Sequence, residues 1–183
     1  MQELKETRSV TIMQVSHSGD EAYALADKVV VLLDGRVAQV GTPDEIFCHP
    51  ASADVARFVG MENVIAGTVL NNGSGHSRIT IGSATIQLPV KHQQGTQITI
   101  GIPAKCIRVV SRQHVSDDRD MNCIPCRVTR VTWGKDTATL NLEGEISLTA
   151  VIQRTGDDGD IPRQGMRVYA VFRDMDVRVL SGG

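Results

Sequence analysis

Two hydrophobic rhythms divide the chain near Gly60. Before it, apolar runs of strand type alternate with short segments spaced as helices; after it, nearly every apolar position falls in a short strand-like run bounded by turn residues. Val10–Val15 predicts a strand. Ser18 is placed to cap a helix through Ala26, with Asp20 and Glu21 in the first turn where the helix dipole favours acids. Lys28–Leu33 and Arg36–Val40 flank Asp34-Gly35, a strong hairpin signal. Thr42 caps a further helix with Pro43 in its first turn, and Ser52–Val59 predicts one more, with Val55, Ala56, Phe58 and Val59 as its apolar face.

Beyond Gly60 the strand expectations fall at 63–70, 77–81, 84–88, 96–102 and 106–111, then at 122–132, 136–142, 145–154, 166–172 and 177–180. The polar stretch Arg112–Met121 separates the two sets and reads as a linker. The sets repeat one another. Asn63–Val69 matches Asn122–Val128, and Gly95–Ser111 runs without a gap alongside Gly165–Ser181, so that Ile107-Arg108-Val109-Val110 faces Val177-Arg178-Val179-Leu180. Five short strands per copy favour closure into a small barrel of OB type, which removes exposed edges, and two like barrels can pack as a pseudo-dimer. The domain division expected is therefore 1–60, a first barrel half at 61–112, a linker at 113–121 and a second barrel half at 122–183.

Composition narrows the function. Only 3% of the 183 residues are aromatic, so the core is built of Val, Ile, Leu, Ala and Met. A net charge of -2, with Trp133, Tyr169 and Phe172 as the barrels' aromatics, gives neither the basic groove nor the stacking platform of a nucleic-acid binder. Nothing reads as a signal peptide or a membrane span, which leads to the expectation of a cytoplasmic protein. Cys123 and Cys126 form a CxxC. On one strand, positions three apart face opposite sides, so free thiols are expected rather than a metal or redox pair. His76, His92 and His114 share no ligand spacing, and the Asp- and Gly-rich loop Gly156–Arg163 lacks the calcium-loop pattern, so no metal site is expected.

Before Gly60 the sequence resembles a known family. Gln14-Val15-Ser16-His17-Ser18-Gly19-Asp20-Glu21-Ala22, followed by Leu25-Ala26-Asp27-Lys28-Val29, is similar to the switch region of ABC ATPases, V-T-H-D-x-x-E-A…L-A-D-R-I. Asp34-Gly35-Arg36 and Gln39-Val40-Gly41-Thr42-Pro43-Asp44-Glu45-Ile46 are similar to that family's G-x-[IV]-x-Q-x-G-T-P-x-E-[IL], and Val55–Gly60 and Asn63 continue the match. The two barrels look like the accessory domains of importer ATPases, related to the small barrel of molybdate-binding proteins. The resemblance implies an α/β fragment of an ABC ATPase core followed by all-β tandem OB-like barrels.

By the same resemblance His17 is the switch histidine, which contacts the γ-phosphate in an intact family member. The string G-x-x-x-x-G-K-[ST], the L-S-G-G-Q signature and an apolar run ending in Asp-Glu are absent, so this polypeptide alone is not expected to be an ATPase and needs no cofactor; ATP and magnesium belong to an intact member. The resemblance implies a regulatory role in an importer, with a homodimer, membrane subunits and a small oxyanion such as molybdate, tungstate or sulfate as partners. A free-standing oxyanion-binding protein with a vestigial ATPase segment is the alternative. Oxyanion sites of that family lie at barrel contacts, in a Ser-Ala-Arg-Asn segment before the first strand and a Lys-x-x-Ser segment near the last. Those positions make Asn63, Lys105, Asn122 and Arg173 the candidate ligand residues. The sequence departs from the pattern at Met121, where Arg is expected, and at Asp176, where a hydroxyl donor is expected.

Overall fold

The computed structural model describes residues 11–72, 76–111, 120–154 and 160–180. Residues 112–119 of the expected linker and the first half of the Gly156–Arg163 loop lie outside them.

The first unit is a hairpin dressed with short helices. Helix α1 (Gly19–Leu25) begins at Ser18, whose hydroxyl accepts from the Glu21 N–H. Strands β1 (Val29–Leu33) and β2 (Arg36–Gly41) pair antiparallel around Asp34 and Gly35, both at positive φ as the tight turn requires. Helix α2 (Pro43–Phe47) has a full capping box between Thr42 and Glu45, and α3 (Ala53–Phe58) is capped by Ser52. One face of the hairpin closes over Val31, Ile46 and Val55; the other leaves Val30, Leu32, Val37 and Val40 about half exposed. The strand expected at Val10–Val15 does not form among its described residues. Residues 11–16 have no regular structure and are exposed, because no described strand lies beside them to complete their backbone hydrogen bonds.

The rest is β structure. The strands are β3 (Asn63–Asn72), β4 (Ser77–Ile81), β5 (Ala84–Leu88), β6 (Gln97–Ile102), β7 (Arg108–Val110), β8 (Met121–Trp133), β9 (Thr137–Gly144), β10 (Ser147–Gln153), β11 (Arg167–Arg173) and β12 (Arg178–Leu180). The repeat is visible in hydrogen bonds. Gly95 and Gly165, both at positive φ, enter β6 and β11 with N–H groups donating to the carbonyls of Val69 (2.8 Å) and Val128 (2.7 Å). A bulge falls at Leu70 against β4 and at Thr129 against β9, the same offset that separates Asn63 from Asn122.

Two five-stranded antiparallel sheets result, in the orders β12-β6-β3-β4-β5 and β10-β9-β8-β11-β7. The final strand of each repeat therefore sits in the other repeat's sheet: β7 pairs with β11, and β12 pairs with β6. The division at 61–112 and 122–183 follows the sequence repeat but cuts across both sheets. The exchange is permitted because the two tails present the same alternation, with Ile107 and Val177 both buried. One continuous core then runs through both barrels, from Val69, Ile79 and Ile86 in the first to Leu140, Ala170 and Phe172 in the second. The barrels are fixed to the first unit through Ala56, Met61 and Leu180, and through the Arg178 guanidinium, which donates to the Cys48 carbonyl at 3.2 Å.

Candidate functional site

The barrel contacts are where the candidate ligand residues were expected, and the structure places two of them, Asn63 and Asn122, there at pseudo-equivalent positions. Asn63, at the start of β3, is buried. Its amide donates to the carbonyls of Ile102 and Thr149, each at 2.9 Å, and its oxygen accepts from the Thr149 N–H at 2.6 Å. Asn122, at the same place in β8 and also buried, takes the Gln87 N–H at 2.7 Å and donates to the Gln87 carbonyl at 3.1 Å. Each amide thus imitates a strand residue and pairs with the outer strand of the opposite barrel, β10 or β5. Thr149 and Gln87 contribute only main-chain groups, so nothing in the sequence could mark them.

The other two candidates point elsewhere. Arg173 is exposed and gripped by Asp176 of its own turn, with Nε and a terminal nitrogen each 3.1 Å from the carboxylate. The hydrogen bonds and charge of Asp176 hold the guanidinium even more firmly protonated than usual. Lys105 lies exposed in the 3-10 turn Ala104–Cys106, on the rim of a cleft of about 300 Å³ shared with Asp20, Tyr23 and Phe47. His17 is exposed just before the cap of α1. Three of the five candidates therefore spend their polar groups on the protein itself, and the five do not converge.

Main-chain donors at the junction are also committed. The Ala104 N–H, which opens the turn after β6, is met by the Glu62 carboxylate at 3.2 Å. The cleft beside Asn63, about 320 Å³, is lined by Glu62, Thr129, Asn141, Glu143 and Ser147 among others, with no Lys or Arg among the described residues. A carboxylate already occupies the position where an external anion would take that N–H, and Glu143 adds repulsion. On the pseudo-equivalent side, the Asp174 N–H donates to the Asp120 carbonyl at 2.9 Å.

The CxxC behaves as its strand position dictates. Along β8 the inward positions are Asn122, Ile124, Cys126 and Val128, while Cys123 lies on the outward set. All four cysteines are free, and burial pushes the thiols of Cys123 and Cys126 up, away from the thiolate that metal or redox chemistry needs.

No family model matches the chain. Over its whole length it is 35% identical to the Fe(3+) ions import ATP-binding protein FbpC of Streptomyces coelicolor, covering 48% of that protein. It is 33% identical to the molybdate/tungstate import ATP-binding protein WtpC of Pyrococcus horikoshii, over 92% of this chain and 47% of that one. Over 57% of its length it is 37% identical to the spermidine/putrescine import ATP-binding protein PotA of Oleidesulfovibrio alaskensis. The chain is a relative of the C-terminal part of ABC-importer ATP-binding subunits. It spans about half the length of the first two of these relatives. Among solved structures, the molybdate-bound cytoplasmic molybdate-binding protein ModG superimposes on 66% of this chain and 96% of its own, with a TM-score of 0.55 and 17% identity. That likeness concerns fold, and it agrees with the tandem OB-like barrels expected from the repeat. Among the described residues, no helix is long and apolar enough to cross a membrane.

Proposed function

We propose that this chain is the regulatory C-terminal portion of an ABC importer's ATP-binding subunit, an α/β remnant of the ATPase core carrying tandem barrels that sense solute or pair subunits. The observation that carries this reading is the ordered motif run from Gln14 to Asn63 followed by two barrels, matched over the full chain by an importer subunit. The mechanical link supports it. The helix α3 and the Arg178–Cys48 contact tie the barrels to the hairpin, so a shift of the barrels is passed toward the switch-like segment. The chain has no phosphate loop and on its own turns over no ATP; His17 acts only where a phosphate loop is supplied. Its place is the cytoplasmic side of the membrane, with the importer's membrane subunits as partners. The half-exposed Val30, Leu32, Val37 and Val40 support pairing of two copies, and light scattering that finds only monomer argues against it.

The relatives carry three different solutes in their names, so the solute is assigned by chemistry. An oxyanion is supported by the match to WtpC over 92% of this chain together with the barrel fold shared with ModG, while the match to FbpC, over the whole chain, speaks for Fe(3+). The acidic lining of the junction and the committed amides of Asn63 and Asn122 oppose it. Isothermal titration with molybdate, tungstate and sulfate, with phosphate as control, decides between them. Saturable binding of one oxyanion makes the barrels a sensor. No heat of binding leaves subunit pairing as their role.

A further inference from the structure

His76, which leads into β4 of the first barrel, meets Asp120 and Asp174 of the second; one ligand-type atom from each lies within 4.8 Å of the others. Asp174 is only 5% exposed. The group that faces its carboxylate among the described residues is the His76 ring, with Nδ1 3.1 Å from Oδ2. That approach does not have hydrogen-bond geometry, and Nδ1, itself buried, has no hydrogen-bond partner. The neighbouring cation, Arg173, is turned to Asp176 instead. A buried carboxylate and a buried ring nitrogen thus lie within ion-pair distance of each other with no hydrogen bond between them, an arrangement a shared cation would satisfy.

We propose that His76, Asp120 and Asp174 form a divalent transition-metal site that bridges the two barrels. One imidazole and two carboxylates suit Zn²⁺, Co²⁺ or Mn²⁺, whereas Mg²⁺ and Ca²⁺ favour all-oxygen sets. Atoms bound to one tetrahedral ion at about 2.0–2.2 Å lie ~3.3–3.6 Å apart, so the His76–Asp174 pair at 3.1 Å already spans such an ion and the Asp120 carboxylate draws in to complete it. The metal takes the neutral imidazole and both carboxylates and balances their two negative charges. Neither a buried Asp174 nor a half-exposed His76 alone would make such a site. It rests on their joint aim across a contact between barrels. The inference does not depend on the importer assignment.

The test uses the whole chain, freed of metal and titrated with Zn²⁺ by calorimetry and with Co²⁺ by visible absorption. One equivalent is expected to bind with a d–d spectrum free of thiolate charge transfer, and saturating Zn²⁺ should raise the unfolding midpoint. His76→Gln, at a half-exposed position that folding tolerates, is expected to weaken binding about tenfold or more, as is Asp174→Asn. Absence of binding, thiolate bands that place the metal at Cys123 or Cys126, or an unchanged affinity in His76→Gln would each overturn the proposal.

Discussion

Asn63 and Thr149, separated by 86 residues, exchange two hydrogen bonds across the barrel junction, side-chain amide on one side and backbone on the other. Asn122 repeats the arrangement on Gln87. Each amide stops an outer strand that would otherwise be left with unpaired groups in a half-buried place. Replacing Asn63 by Ala removes the partner of the Thr149 N–H and of two carbonyls, at a cost of about 1–3 kcal/mol for stranded polar groups. Asn63→Ala and Asn122→Ala are each expected to lower the urea midpoint by that measure without changing the cooperativity of the transition. A midpoint equal to that of the unaltered chain would show that the amides are dispensable.

The strands and caps were legible because they rest on local rules: alternation, Asp-Gly at the hairpin, Thr42-Pro43 at a helix start. Strand boundaries beyond Gly60 fall within about two residues of expectation, helped by the repeat. The strand exchange was not legible, since the tails after Ile107 and Val177 carry the same pattern and nothing local says which barrel takes which. The site suffered for a related reason. Asn63 and Asn122 were expected as ligand residues, whereas the structure bonds both amides to main-chain groups of Thr149 and Gln87, which no motif marks. The grouping of His76 with Asp120 and Asp174 is likewise a product of topology, since either Asp lies 44 or more positions along the chain from the His, with no spacing to betray it.

The exchange predicts the behaviour of the isolated repeats. A chain of residues 61–111 keeps β3 to β6 but loses β12, leaving the Thr99–Gly101 edge of β6 unpaired. It also keeps β7, whose partner β11 is gone. Such a fragment is expected to be unfolded or to dimerise by reciprocal exchange, as size-exclusion chromatography with circular dichroism would reveal. The span 61–183 is expected to fold as one cooperative unit. A well-folded monomer of 61–111 would refute the view that the exchanged strands are essential.

Close strand approach predicts two intolerant glycines. A Cβ on Gly144 would lie 2.3 Å from the carbonyl oxygen of Pro125, and one on Gly67 would lie 2.8 Å from that of Thr80. Both obstacles are backbone, so relief requires the strands to part. Gly144→Ala and Gly67→Ala should each destabilise by about 1–3 kcal/mol, despite the better intrinsic propensity of Ala. Thermal unfolding of the two variants checks this, and a gain in stability for either would mean the strands yield more easily than their packing suggests.

Tyr23 couples α1 to α2 through a contact that depends on pH. The Tyr23 hydroxyl donates to Asp44 at 2.5 Å, and the Tyr23 ring meets Phe47 edge-on at 5.7 Å between centroids. The hydrogen bond to Asp44, and then the negative charge of that carboxylate, raise the phenol above its ordinary value near 10. Because the folded value is the higher one, the native state holds the proton more tightly than the unfolded chain. The contribution of this contact is therefore complete below the unfolded value and is lost as pH rises through the folded value. An ultraviolet phenolate titration, with Tyr169→Phe to isolate Tyr23, should find it ionising later than a free tyrosine. Asp44→Asn should bring it back toward the ordinary value, since the neutral amide supplies no charge. If Asp44→Asn leaves the titration unmoved, the lift comes from elsewhere and the Tyr23–Asp44 bond does not join the helices in solution.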